Sequence, residues 1–332
     1  MNLIDIIFNN NFSFIAFLLI SIIIIVNGWT DAPNAITSSI STNTLSIKKA
    51  ILISVIFNFF GIIIMSLISS ELIETVSNLV VFPSNNKNSL IALCSGMISV
   101  IIWSLSACYF GIPTSESHAL LSGITGAAIC INNGFNAVNI NEWMNVFYGI
   151  IFTTIFGIII SYTLNKFIKI KIKNIRKTQI TLTAALSFMH GAQDGLKFIG
   201  VFVILVNLLK GSEVVNIPFG LILYCSLLMG LGTLFGGKKI IHKTGNMLMP
   251  LKKEEGIIVD FVSSILIFLS TLSGLPVSTT HVRTLAVIGI GINSQEKINI
   301  KIIKELVFAW IMTFPCCTLI GYIITDIIIH FI

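Results

Sequence analysis

Eight pairs of residues in this chain stand 163 positions apart: Gly28 and Gly191, Asp31 and Asp194, Gly111 and Gly274, Pro113 and Pro276, Ser115 and Ser278, His118 and His281, Gly126 and Gly289, and Glu142 and Glu305. Apolar coincidences come freely in a chain that is 55% hydrophobic, whereas matched Asp, His, Pro and Glu at a single offset do not. Such a chain is expected to be two copies of one unit. The copies are bounded at 12–164 and 175–330, with a basic linker, 165–174, between them.

Each copy holds five apolar segments. In the first they run 12–28, 50–69, 89–110, 112–131 and 143–164; in the second, 175–209, 214–236, 256–273, 275–292 and 306–330. A membrane span needs roughly 20 mostly apolar residues, and 332 residues allow ten with short loops. Only 10% of residues are charged and mean hydropathy is +0.96, against about 25% charged in a soluble domain. An ordinary water-soluble enzyme is therefore excluded, and the expected fold is an all-α polytopic membrane protein. Five is odd, so a second copy that follows the first enters the bilayer from the opposite side. Inverted repeats of this kind are the architecture of many secondary transporters, with the substrate near the midplane where discontinuous helices meet. The segments that begin at Ile112 and Leu275 each open with a Gly-x-Pro step, carry hydroxyls and a His, and follow their predecessor without a loop. They read as broken or re-entrant helices, which survive at membrane depth only where they line a cavity or are buried in protein.

Charge placement gives an independent reading of topology. If the loop Lys166 to Lys177 is cytoplasmic, alternate loops put sixteen of the 20 basic residues inside, including Lys48, Lys49, Lys238, Lys239, Lys243, Lys252, Lys253, Lys297, Lys301 and Lys304. That is the positive-inside bias, and it sets both termini outside a cell membrane. The net charge of +6 thus reports topology and implies no nucleic acid. No Lys or Arg precedes Phe12–Val26, so that run reads as a span and not a signal peptide. The six cysteines lack metal-ligand spacing and read as small packing residues.

Ionisable residues inside a membrane are costly and mark sites or pathways. In Asn27-Gly28-Trp29-Thr30-Asp31-Ala32-Pro33-Asn34 and His190-Gly191-Ala192-Gln193-Asp194-Gly195-Leu196-Lys197, the Asp precedes an amide or ammonium by three. Residues three apart share a helix face, so Asp31 with Asn34, and Asp194 with Lys197, point into one space. A carboxylate among side-chain and carbonyl oxygens can hold a hard cation such as sodium; a helix cap or a buried Asp194–Lys197 ion pair is the plainer alternative. In Gly111-Ile112-Pro113-Thr114-Ser115-Glu116-Ser117-His118 and Gly274-Leu275-Pro276-Val277-Ser278-Thr279-Thr280-His281, Pro is followed by hydroxyls at a helix start. Free amides and hydroxyl donors then converge into an anion site, with N-capping by Ser115 or Ser278 as the alternative. Arg283, two residues past His281, adds a guanidinium fork suited to an oxyanion. His118 and His281 read as buried structural imidazoles. Asp260 is a weak candidate without a counterpart at Met97, and Glu142 and Glu305 read as helix-start contacts.

These four motifs, in this order, resemble the PiT family of inorganic phosphate transporters, and the likeness covers nearly the whole chain. In that family each half carries a Gly-Ala-Asn-Asp-x-x-Asn-type and a Gly-x-Pro-x-Ser-x-x-His-type motif. The resemblance implies secondary active uptake of phosphate, by alternating access, coupled to sodium or protons and without any other cofactor. On it, Thr114, Ser115, Ser117, Ser278, Thr279, Thr280, Lys197 and Arg283 would meet the anion, and Thr30, Asp31, Asn34, Gln193 and Asp194 the cation, with sodium at Asp31 and Asp194. The chain departs from the pattern where Thr30 and Gln193 replace the Asn before Asp, where Lys197 replaces the second Asn, and where Glu116 stands opposite Thr279. These changes leave sodium and proton coupling both open.

Relatives in that family are also associated with sulfate. Phosphate carries hydroxyl donors and sulfate at neutral pH has none, while an ionised Asp only accepts, so a carboxylate facing the ligand favours phosphate. A metal-dependent membrane enzyme built on His118, His281, Glu116 and Asp194 lacks any His-Glu-x-x-His helix, and no ATP-binding loop occurs. A passive channel is the third possibility, separated by whether uptake runs uphill. A homo-oligomer stays open, because lipid-facing and partner-facing surfaces are both apolar.

Overall fold

The computed structural model describes residues 7, 10–83, 87–110, 114–167, 173–211, 217–235, 248–294 and 298–331. Gly111, Ile112 and Pro113 lie outside them, as do Lys169, Lys171, Lys238, Lys239, Lys243 and Lys297.

The described chain is helical throughout. The first half comprises α1 (Asn11–Thr30), a 3-10 turn (Ala32–Ile36), α2 (Thr37–Ser41), α3 (Ile47–Ile68), α4 (Glu71–Ser77), α5 (Lys87–Phe110), α6 (Glu116–Ile131) and α7 (Ile140–Phe167). The second comprises α8 (Ile175–Lys210), α9 (Phe219–Leu234), α10 (Lys253–Leu272), α11 (Thr279–Gly291) and α12 (Ile300–Phe331). Among the described residues, seven helical stretches are long and apolar enough to cross a membrane. The helices α6, α9 and α11 have 16, 16 and 13 residues. At 1.5 Å per residue they reach only about 20–24 Å, short of a bilayer core of about 30 Å. Glu116–Ile131 and Thr279–Gly291 are thus short helices, as expected for the segments 112–131 and 275–292; the first Gly-x-Pro step itself lies outside the described residues. Gly274 makes the turn between α10 and α11 with φ of 66°, a left-handed conformation that glycine adopts without penalty.

One departure from symmetry between the halves bears on the site. α1 stops at Thr30 because Pro33 lacks an N–H and its ring would clash with a carbonyl one turn back, so the chain tightens into the 3-10 turn. Leu196 occupies the matching position, and α8 runs unbroken for 36 residues.

The halves also interlock. α6 packs most extensively on α12, and α11 packs on α7, so the last helix of each half covers the short helix of the other. α3 lies on α8 and α9 lies on α1 in the same crossed fashion. The repeated glycines stand at points of close approach: a Cβ on Gly126 would overlap the backbone of Thr318, and one on Gly289 the backbone of Ile158. A Cβ on Gly28 would stand 2.6 Å from the Met229 carbonyl, and one on Gly191 would strike the backbone of Asn58.

Candidate functional site

Asp31 ends α1 where the helix breaks, and both of its oxygens face the other half of the molecule. Its Oδ1 accepts hydrogen bonds from Asn34 Nδ2 at 2.7 Å and Thr280 Oγ1 at 2.5 Å, and its Oδ2 from Thr279 Oγ1 at 3.5 Å. Asn34 Nδ2 also reaches Thr280 Oγ1 at 2.8 Å. The Asp–Asn pair of the first half is therefore completed by the start of α11 in the second.

Asp194 repeats the arrangement from within α8. Its Oδ1 accepts from Lys197 Nζ at 2.9 Å and Ser117 Oγ at 3.3 Å. Lys197 Nζ also donates to Ser117 Oγ and to the Val277 carbonyl, both at 2.6 Å. Since 117 and 280 are also 163 apart, the triad Asp194–Lys197–Ser117 is the image of Asp31–Asn34–Thr280. The carboxylates of Asp31 and Asp194, with His190, each offer a ligand atom within 4.8 Å of the others. Two half-sites thus form one compact centre, in which Asp31, Asp194 and Lys197 are at most 3% exposed. An ammonium this deeply buried is tolerable only because its three hydrogens find a carboxylate, a hydroxyl and a carbonyl.

The remaining candidates divide. Thr30 Oγ1 lies 2.7 Å from the Val26 carbonyl one turn back and also against Glu116 Oε1, and its single hydrogen serves one of the two. Ser115 and Ser278 spend their hydroxyl oxygens on N-caps, accepting from the amides of His118 at 3.1 Å and His281 at 3.4 Å. The capping alternative describes their contacts, and they fix where α6 and α11 begin. Gln193 points away from the Asp194 carboxylate: it donates to the carbonyls of Leu275 at 3.0 Å and Val277 at 3.4 Å and accepts from Thr271. It anchors the stretch of chain before α11, and it shares the Val277 carbonyl with the Lys197 ammonium. Thr114 lines an apolar cavity of about 280 Å³ with Trp103, Phe308 and Met312, apart from the centre. Arg283 does not join Lys197; its Nη2 donates to Ser38 Oγ at 3.2 Å.

Three contributors to the centre are absent from the expected set. His190 Nε2 lies 3.4 Å from Asp194 Oδ2, its Nδ1 lies 3.3 Å from Asn58 Oδ1, and Asn27 Nδ2 lies 3.4 Å from the same Asp194 oxygen. Asn27 and His190 are 163 apart, so the offset itself marks them, although their differing chemistry hides the match. Asn58 has no such signal. His118 and His281 meet edge to face at 4.8 Å, with His118 stacked on Phe314 and His281 tilted against Trp310. They are part of an aromatic core and hold no ligand set.

Comparison with known proteins bears on this geometry. The profile of the phosphate transporter family matches the chain twice, at residues 27–177 and 171–321. The chain belongs to that family. Membership makes it a multi-pass membrane transporter and not an enzyme, and the double match is the inverted repeat. It is 30% identical over 311 residues to a probable low-affinity inorganic phosphate transporter of Bacillus subtilis (strain 168), covering 90% of this chain and 91% of that one. A protein of the same description from Rhizobium meliloti (strain 1021) is 28% identical, covering 89% and 90%. Among solved structures, the sodium-dependent phosphate transporter superposes with a TM-score of 0.83 at 20% identity, covering 97% of this chain and all of the other. At that identity the likeness establishes the shared fold.

Proposed function

We propose that this transporter carries inorganic phosphate across the cell membrane into the cytoplasm, coupled to a sodium gradient, by alternating exposure of the centre between the two halves. Phosphate sits where α6 and α11 begin, met by the free amides of both helix starts and by the hydroxyls of Ser117, Thr279 and Thr280 once these turn from the carboxylates to which they donate in this conformation. A sodium ion sits at Asp31 and Asn34, among oxygen ligands that suit a hard cation.

The observation that carries this reading is the environment of Lys197. Its ammonium has the three oxygen partners that a cation at Asp194 would have, and all three of its hydrogens are used. It therefore stands in for a second coupling cation, and no hydrogen remains to bind the anion. One sodium per phosphate, and not two, follows. Phosphate is favoured over sulfate by the family resemblance, and by any carboxylate lone pair of Asp31 or Asp194 that the cations leave free, since it accepts a hydrogen bond that sulfate at neutral pH cannot give.

Both termini lie outside on the positive-inside rule. The test is uptake of labelled phosphate into proteoliposomes, with sodium and proton gradients imposed separately and sulfate as competitor. Sodium-driven uptake that excess sulfate leaves unchanged supports the reading. Uptake driven only by protons removes sodium, and strong competition by sulfate removes the anion assignment.

A further inference from the structure

The two halves share a fold but differ in what lines it. Along α8, Gln179, Thr183, Ser187, His190 and Asp194 follow at steps of four, four, three and four residues, which keeps them on one helix face. α10 runs parallel beside it: Gln179 Nε2 donates to Asp260 Oδ2 at 2.5 Å near the start of both helices, and Thr271 bonds Gln193 further along. Gln179, Thr183, Ser187, Asp260 and Ser263 are all fully buried. Each has a polar side-chain atom with neither solvent nor a hydrogen-bond partner: Gln179 Oε1, Thr183 Oγ1, Ser187 Oγ, Asp260 Oδ1 and Ser263 Oγ. Native interiors rarely leave such groups unsatisfied, and a run of five along one seam calls for a cause.

Packing is not that cause. The positions 163 residues earlier are Ala16, Ile20 and Ile24 on α1 and Met97 and Val100 on α5, all buried in one hydrophobic core. The fold is content with an apolar seam there. Only the seam between α8 and α10 is polar, and it ends beside Arg176 and Lys177.

The guanidinium of Arg283 stands at the outer end of that seam: Asp260 beside it is bonded by Gln179, and a Cβ on Gly256 would lie 3.6 Å from Gln179 Oε1 and 3.7 Å from the Cβ of Ser38, the hydrogen-bond partner of Arg283. Arg283 lies three residues beyond Thr280, about 4.5 Å along α11, and bonds Ser38. Its Nε has no partner, and among the described residues no carboxylate oxygen comes within ion-pair distance; Asp260 is the charged group beside it. The matching residues of the other half are Leu120 for Arg283 and Val201 for Ser38, both in the core. A buried guanidinium with a donor to spare is suited to bind an oxyanion in two-pronged fashion.

Resting on the phosphate reading above, we propose that the seam between α8 and α10 is the inner half of the permeation path, closed in this conformation, with Arg283 as a second oxyanion station between the centre and the membrane face at Arg176 and Lys177. Phosphate released from the centre takes hydrogen bonds from the hydroxyls of Ser187, Thr183 and Ser263 as the seam opens, and passes to Arg283. Asp260 keeps the station from becoming a trap, because its carboxylate competes for the guanidinium once the anion moves on.

The test uses the full chain in proteoliposomes. Ser187→Cys and Thr183→Cys, and separately Ile20→Cys and Ile24→Cys, are exposed during turnover to a membrane-impermeant thiol reagent, with the unsubstituted chain as background. In variants that still take up phosphate, the first pair is expected to react from the Arg176 side only and to be protected when turnover is stopped; the second pair stays inert. Inert Cys at 183 and 187 in a transporting protein, or equal reaction of all four, overturns the path. For the station, Arg283→Leu is expected to keep phosphate binding by the centre in detergent while lowering the maximal uptake rate about tenfold, the scale of one lost charge-assisted hydrogen bond, with Arg283→Lys between. Parent-like uptake by Arg283→Leu, or loss of binding and uptake together, overturns the station. Failure of the unsubstituted chain to take up phosphate would overturn the functional reading itself, which no labelling result can do.

Discussion

Lys197→Asn turns the second half-site into a copy of the first. In the present arrangement the ammonium makes contacts of 2.9, 2.6 and 2.6 Å to Asp194, Ser117 and Val277. An amide at that position can reach Asp194 and Ser117, as Asn34 reaches Asp31 and Thr280, but its shorter arm cannot reach Val277. Removing one partner of a buried ion pair costs roughly 3–5 kcal/mol because the other charge is left uncompensated. A cation that enters the vacated position restores part of that: at a sodium concentration a hundredfold above its dissociation constant, about 2.7 kcal/mol. The variant is therefore expected to be several kcal/mol less stable than the parent without sodium, and to regain about half of the loss with it. In uptake, the steepness of the sodium dependence should rise from a Hill coefficient of about one towards two, the limit for two sites. The assays are thermal unfolding of purified protein across a sodium series and initial uptake rates over the same series. A variant whose stability ignores sodium and whose Hill coefficient equals the parent's would refute the cation-substitute role. If phosphate affinity alone falls, Lys197 contacts the anion.

Asn34→Lys makes the converse change and should abolish the sodium requirement for phosphate binding, read by equilibrium binding with sodium replaced by choline. Asp31→Asn should end sodium-coupled uptake while the protein still folds into the membrane, since shape is kept and charge is lost; near-normal uptake would remove Asp31 from the mechanism. Ser278→Ala should cost about 1 kcal/mol through loss of the α11 cap, visible as a lower unfolding midpoint, with the sodium dependence of uptake unchanged. Gly126→Ala should lower the unfolding midpoint far more, because the new methyl meets the Thr318 backbone and neither helix can give way without separating α6 from α12.

The fold was legible because its constraints repeat. Ten apolar stretches announced the helices, and an offset shared by Asp, His and Pro announced two copies of odd length. What the offset could not announce was that the copies interlock, since the crossing of α6 with α12 and of α11 with α7 depends on shape and not on spacing. The straight course of α8 beside the broken α1 was readable from Pro33 and Leu196, yet matching the halves conceals it by stressing likeness. At the centre, Asp31 with Asn34 and Asp194 with Lys197 came together because a separation of three sets helix neighbours whatever the tertiary fold. Ser117 and Thr280 came with them from the opposite halves. Gln193 reached the centre only through the Val277 carbonyl, and Arg283 turned to Ser38, since motif membership says nothing of direction. His190 was concealed by its apolar neighbours and by an unlike partner, Asn27. Asn58 lies in an apolar stretch far from every motif and had no signal at all.

The central claim is that phosphate and one cation share the compact centre between the two halves and move together. The most direct measurement is accumulation of labelled phosphate inside proteoliposomes above its external concentration, driven only by an inward sodium gradient, with sodium entry recorded in the same vesicles. The account predicts uphill accumulation that collapses with the gradient, and one sodium entering per phosphate. Phosphate that merely equilibrates, or enters without sodium, contradicts it.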